Sequence, residues 1–146
     1  MKNTPLKIFK TSIAIGLAFE LLMLVGCASL QPKTDEEQVA IRAQERQDAL
    51  VVSDYDSAYK FFSPGYKETH TLEHYKGKKG GAVKRESASI RSVECEEDLC
   101  AVTIDLYYRY QGVIGIEIKP SATPNHRVNR EKWIKVGNRW WLYAKK

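Results

Sequence analysis

Cys100-Ala101-Val102-Thr103-Ile104-Asp105-Leu106-Tyr107-Tyr108-Arg109-Tyr110 alternates with a period of two. Cys100, Val102, Ile104, Leu106, Tyr108 and Tyr110 fall on one face; Ala101, Thr103, Asp105, Tyr107 and Arg109 fall on the other. Successive side chains of an extended chain point to opposite sides, so this pattern predicts a half-buried strand of an antiparallel sheet. Residues 87–95 are its hairpin partner, turning through Glu96-Glu97-Asp98-Leu99. A third strand is predicted over 113–119. A loop with Pro120 and Pro124 follows, and 128–136 and 139–143 form a last hairpin that turns at Gly137-Asn138.

Upstream the period is helical. Thr34 can cap, Glu37 stands three residues on as in a capping box, and Val39, Ala43 and Leu50 form an apolar stripe to about Val52. Asp54 caps a second, short helix whose buried side is Tyr55, Ala58, Tyr59 and Phe62, stopped by Ser63-Pro64-Gly65. Thr71 opens a third helix that ends at Gly77, and the basic run from Lys76 to Arg85 reads as a loop. Helices first and a meander of strands after them predict an α+β domain, with N-terminal helices packed in a curved antiparallel sheet.

The first residues carry a different signal. Lys2, Lys7 and Lys10 precede an apolar stretch over 13–25 that closes in Leu24-Val25-Gly26-Cys27. This is the layout of a secretory signal, and it is shorter than the roughly 20 residues a membrane helix needs. Glu20 lies inside it, where a charge is costly to insert. Leu24-Val25-Gly26-Cys27 resembles the lipobox of bacterial lipoproteins. The resemblance implies that 1–26 is a signal peptide and that Cys27 is acylated and becomes the first residue of the processed chain. Residues 27–33 are then a short tether and 34–146 one domain. Six tether residues reach about 20 Å at most, which keeps the domain close to the bilayer. Ala28 in place of an aspartate implies, by enterobacterial sorting, the outer membrane facing the periplasm.

The chain holds 23 Lys plus Arg against 18 Asp plus Glu, a formal charge of +5, of which residues 1–26 hold three lysines and one glutamate. The mild basic balance that remains argues for weak attraction to anionic lipid or polymer and excludes nucleic acid as the expected partner.

Asp48-Ala49-Leu50-Val51-Val52-Ser53-Asp54-Tyr55-Asp56-Ser57-Ala58-Tyr59, then Phe62-Ser63-Pro64-Gly65-Tyr66, and finally Trp133 with Arg139-Trp140-Trp141-Leu142 resemble bacterial nuclear-transport-factor-2-like domains of the SnoaL-like, cystatin-like cone type. The resemblance covers most of 36–143 and implies a conical sheet around a helix, often dimeric, with a cavity at the open end. Members have unrelated roles, so fold does not fix function.

Cys95 and Cys100 lie across the predicted hairpin, where they can face each other. In an oxidising compartment this favours a disulfide over a reduced pair or a metal pair. His70-Thr71-Leu72-Glu73-His74 matches an inverzincin string, but Thr71 as a cap leaves His70 outside the helix, so two exposed histidines are expected and no metal. Lys76, Lys78, Lys79, Lys84 and Arg85 read as a solvated basic loop or, alternatively, a contact with anionic headgroups. Asp105, Tyr107, Arg109 and Glu117 are candidate cavity-lining groups, with Tyr108, Tyr110, Trp133 and Trp141 as walls. An Asp–Arg pair in an apolar pocket could abstract a proton, as in isomerase members of that fold.

These readings lead to a lipoprotein of the cell envelope acting as a non-catalytic binding or protein-interaction module, without a cofactor. Its expected partners are the bilayer, through acylated Cys27, and an envelope protein or a second copy of itself. The alternatives are a small-molecule-binding or isomerase-like domain using the cavity, and an accessory part of an envelope or secretion assembly.

Overall fold

The computed structural model describes residues 32–78, 83–111 and 123–144. Helix α1 (Asp35–Val51) starts on a capping box: Thr34 Oγ1 accepts from the Glu37 amide, and Glu37 Oε2 accepts from the Thr34 amide, each at 3.2 Å. Three acidic residues in its first turn suit the positive end of the helix dipole. Val39, Ala43, Arg46, Gln47 and Leu50 are its buried stripe. The helix closes with two reversed bonds, Ser53 N to Leu50 O at 3.3 Å and Asp54 N to Ala49 O at 2.8 Å. Such a Schellman closure needs a left-handed residue, and Ser53 supplies it at φ 59° where glycine is usual.

Three short helices follow. α2 (Tyr55–Tyr59) and α4 (Leu72–Gly77) are capped by the predicted Asp54 and Thr71, while α3 (Pro64–Lys67), capped by Ser63, starts where the sequence predicted only a helix stop. They carry an aromatic cluster in which Phe62 stacks on Tyr66 at 4.3 Å and meets Tyr75 edge-on at 5.2 Å.

The remainder is sheet. β1 (Val83–Glu96), β2 (Leu99–Tyr110), β3 (Asn125–Val136) and β4 (Arg139–Tyr143) form one antiparallel meander in the order β1-β2-β3-β4. Register breaks between Arg85 and Ser87 and between Ile90 and Ser92 mark bulges in β1. Glu97 (φ 51°) and Gly137 (φ 61°) turn the two hairpins. The outer edge of β4 is covered where Leu142 N donates to Phe61 O (2.8 Å) and Ser63 N donates to Leu142 O (3.1 Å).

α1 lies on the face of the sheet that bears Cys100, Val102, Ile104, Trp133, Trp140 and Leu142, and these residues close over Val39 and Ala43 to make the core. Cys100, Val102, Ile104 and Leu106 are all buried, so the quoted alternation marks the core face as far as Leu106. Beyond it, Tyr108 is half-buried and Tyr110 exposed.

The expected fold class is corrected. The architecture is mainly a four-stranded antiparallel sheet, rather than a nuclear-transport-factor-2-like cone with N-terminal helices packed in a curved sheet. The physical reason is length: α1, with 17 residues, is the one helix long enough to cover a face of the sheet, while α2, α3 and α4 have five, four and six residues, too few to make a layer, and β1, β2 and β3 have 14, 12 and 12. The basic loop is also corrected in part, since Lys84 and Arg85 belong to β1, which begins at Val83. The strand predicted over 113–119 lies outside the described residues.

Candidate functional site

Among the described residues, the predicted cavity positions are not gathered into one cavity. Asp105, Tyr107 and Arg109 lie on the face of β2 away from α1, whereas Trp133 is fully buried on the opposite face, where it pairs with Cys100. Asp105 accepts from Arg91 Nε at 2.9 Å and pairs with His126 Nε2 at 2.7 Å. The Arg91 hydrogen bond, and after it that of His126, holds the Asp105 carboxyl below its ordinary value. Arg109 pairs with Glu86, and the Tyr107 ring packs on His126 at 4.8 Å. Tyr108 and Tyr110 meet edge-on at 5.6 Å. Glu117 lies outside the described residues.

A polar network instead occupies the core face, where sequence reading expected none. Arg46 and Gln47 are buried on α1, and Arg46 Nη1 pairs with Oε1 of Glu131 on β3. Gln47 Nε2 donates to the same oxygen at 3.0 Å, and Arg85 Nη1 donates to Gln47 Oε1 at 2.9 Å. Trp133 Nε1 donates to Glu131 Oε2 at 3.3 Å. Two guanidiniums thus share one carboxylate, with Gln47 as the relay to the second. Burial, and then the charge of Arg46, pushes the Arg85 guanidinium down from its ordinary value. The signal was the position of Arg46 and Gln47 on the stripe of Val39, Ala43 and Leu50: charged and amide side chains at core spacing need partners inside.

Next to this network, a polar crevice of about 170 Å³ lies between the end of α1 and β1–β3, lined by Ser53, Tyr55, Lys78, Arg85 and Arg127 among others. A larger and mostly apolar groove, about 480 Å³, is framed by Ser63, Pro64, Gly65 and Tyr66 on one side. Ile134, Val136, Tyr143 and Ala144 frame the other. Trp141 pairs with Ile134 across the ladder and so adjoins the groove. Arg139, Lys67 and Arg42 stand 4.7, 5.0 and 5.7 Å from its ring centroid. Burial first, and then the Arg139 charge, lowers both the Lys67 and the Arg42 value.

The Cys95 and Cys100 sulfurs are at bonding distance, 1.99 Å, across the β1–β2 hairpin. Tyr66 stacks on the His70 ring at 4.3 Å, and Thr71 Oγ1 accepts from the His74 amide, which makes Thr71 the cap and leaves His70 before the helix. Among the described residues no group of three His, Cys, Asp or Glu side chains could hold a metal ion. The basic run does not act as a block: Lys76 pairs with Asp56 at 2.7 Å, Arg85 turns inward to Gln47, and Lys79 lies outside the described residues. Cys27 lies outside them too. Among the described residues, no helix is long and apolar enough to cross a membrane.

No family model matches the chain, and no curated protein matches it. Among solved structures, it is similar to the solution structure of a SEC-C motif containing protein from Rhodopseudomonas palustris. The TM-score is 0.53 at 12% identity, covering 70% of this chain and 73% of that one. At this identity the likeness concerns the fold alone. It corrects the resemblance to a nuclear-transport-factor-2-like lipoprotein domain, for the solved fold that this chain matches is that of a SEC-C motif containing protein.

Proposed function

We propose that the protein is a lipid-anchored, non-catalytic binding module of the bacterial cell envelope, and that the groove between α3 and the β3–β4 hairpin is its contact surface for an envelope protein. The observation that carries this reading is the groove itself. Its lining of Ser63, Pro64, Gly65, Tyr66, Ile134, Val136, Tyr143 and Ala144 offers apolar area and backbone, the chemistry of contact rather than of proton transfer. Val136 and Tyr143 are 48% and 47% exposed, large apolar side chains held open to solvent.

Two cysteine features support the proposed compartment. The basic, apolar and lipobox-like order of residues 2–27 supports export and acylation at Cys27. The placement of Cys95 opposite Cys100 across the β1–β2 hairpin is compatible with the disulfide expected of an exported chain. Two or three acyl chains, each buried methylene contributing about 0.8 kcal/mol, make the attachment stable. Growth with labelled palmitate tests the anchor: label in the wild-type chain and none in Cys27→Ser is expected. Equal label in both, or none in either, contradicts it.

A further inference from the structure

We propose that the crevice between the end of α1 and strands β1–β3 is a binding site for a small phosphate-type oxyanion. It goes beyond the reading of the apolar groove and does not depend on it. Three cationic side chains, Lys78, Arg85 and Arg127, line the crevice together with the hydroxyl-bearing Ser53 and Tyr55. No acidic side chain is in that lining, and among the described residues no ion pair joins any of the three cations to a carboxylate.

The charge imbalance extends inward. Arg85 reaches the Glu131 carboxylate through Gln47, and Arg46 already occupies that carboxylate. Arg85 is half-buried while Lys78 and Arg127 are exposed at the crevice mouth, so the site is open to solvent and an oxyanion beside Arg85 would meet a partly desolvated guanidinium that has no carboxylate of its own. Burial first, and then the Arg46 charge, pushes the Arg85 guanidinium below its ordinary value, with Glu131 opposing and Arg127 adding to it. At about 170 Å³ the crevice is below the size of sites for drug-sized ligands and suits a compact ion or the charged head of a larger molecule.

Ser53 adds an independent sign. It holds the left-handed position that closes α1, φ 59°, where a side chain is strained and glycine is the favourable residue. Ser53 at this position is part of the crevice lining. Strain of this kind is retained where the side chain has a use.

The test is calorimetric titration of the full chain, purified in detergent, with inorganic phosphate, using sodium chloride at matched ionic strength as reference. Saturable phosphate binding is expected. It weakens roughly tenfold in Arg127→Gln, which loses a charge-assisted contact, and roughly threefold in Ser53→Gly. The Ser53→Gly chain has a raised thermal midpoint, since the left-handed strain is relieved, so its weaker binding is not a folding defect. Absence of saturable binding, heats equal to those of chloride, or binding unchanged in both variants overturns the proposal.

Discussion

Glu131 is the carboxylate on which the interior depends. Its Oε1 takes Arg46 and Gln47, its Oε2 takes the Trp133 indole, and through Gln47 it reaches Arg85. Removing one partner of a buried pair leaves the other charge uncompensated, so Glu131→Ala is expected to destabilise by about 3 kcal/mol in urea unfolding. Replacing Arg46 and Glu131 together by methionine and leucine is expected to cost less than Glu131→Ala, because the directly paired charges leave together and only the half-buried Arg85, held through Gln47, loses its counter-charge. Additive losses in the double variant count against a coupled network. At this scale the sequence was partly legible. The alternation from Cys100 to Leu106 marked core positions, but the same alternation left open which side of Asp105 and Arg109 was solvent. Partners distant in sequence decide that: Arg91 and His126 fix Asp105 on the outer face, and Glu86 fixes Arg109.

At the scale of elements, capping chemistry was the most legible signal, because it is local. Thr34 with Glu37, Asp54, and Thr71 all cap where their hydroxyl or carboxylate chemistry placed them. The hairpins were legible for the same reason, with turns at Glu97-Asp98 and Gly137-Asn138. What was not legible was the weight of helix against strand. The apolar residues Tyr55, Ala58, Tyr59 and Phe62 have helical spacing, yet the helix there stops after five residues and Phe62 joins the edge of β4 by a parallel bridge to Leu142. The β1–β2 hairpin yields its own prediction. Cys95 and Cys100 close a short loop, and breaking the bond is expected to lower stability by about 2 kcal/mol on chain-entropy grounds. Urea midpoints of the oxidised chain and of Cys95→Ser/Cys100→Ser measure it. Coincident midpoints count against a structural bond.

At the scale of the molecule, three carboxylates tie the fold together from its ends. Asp35 accepts from Trp140 Nε1 at 3.0 Å and from Lys135 at 3.1 Å, which pins the start of α1 to the β3–β4 hairpin. Asp54 caps α2, and Asp105 bridges Arg91 on β1 to His126 on β3. Trp140 for Asp35, the Ser57 amide for Asp54 and Arg91 for Asp105 hold each carboxyl below its ordinary value of 3.8. A carboxyl whose folded value is depressed contributes its full stability above the unfolded value and loses it as pH falls from there through the folded value. Urea midpoints are therefore expected to hold from neutrality to about pH 5 and to decline below about 4, with a shallower decline in Asp105→Asn. A midpoint that rises on acidification has the wrong sign for this account.

The groove at α3 and β3–β4 gives the whole molecule its proposed role, and photocrosslinking in living cells tests that role most directly. A photoreactive residue at Val136, in the groove lining, is expected to yield one discrete protein adduct. The adduct is suppressed by Ile134→Lys in the same chain and absent when the probe replaces exposed Glu73 on α4. No adduct at Val136, or the same adducts from both positions irrespective of Ile134→Lys, contradicts a binding module that works through this groove.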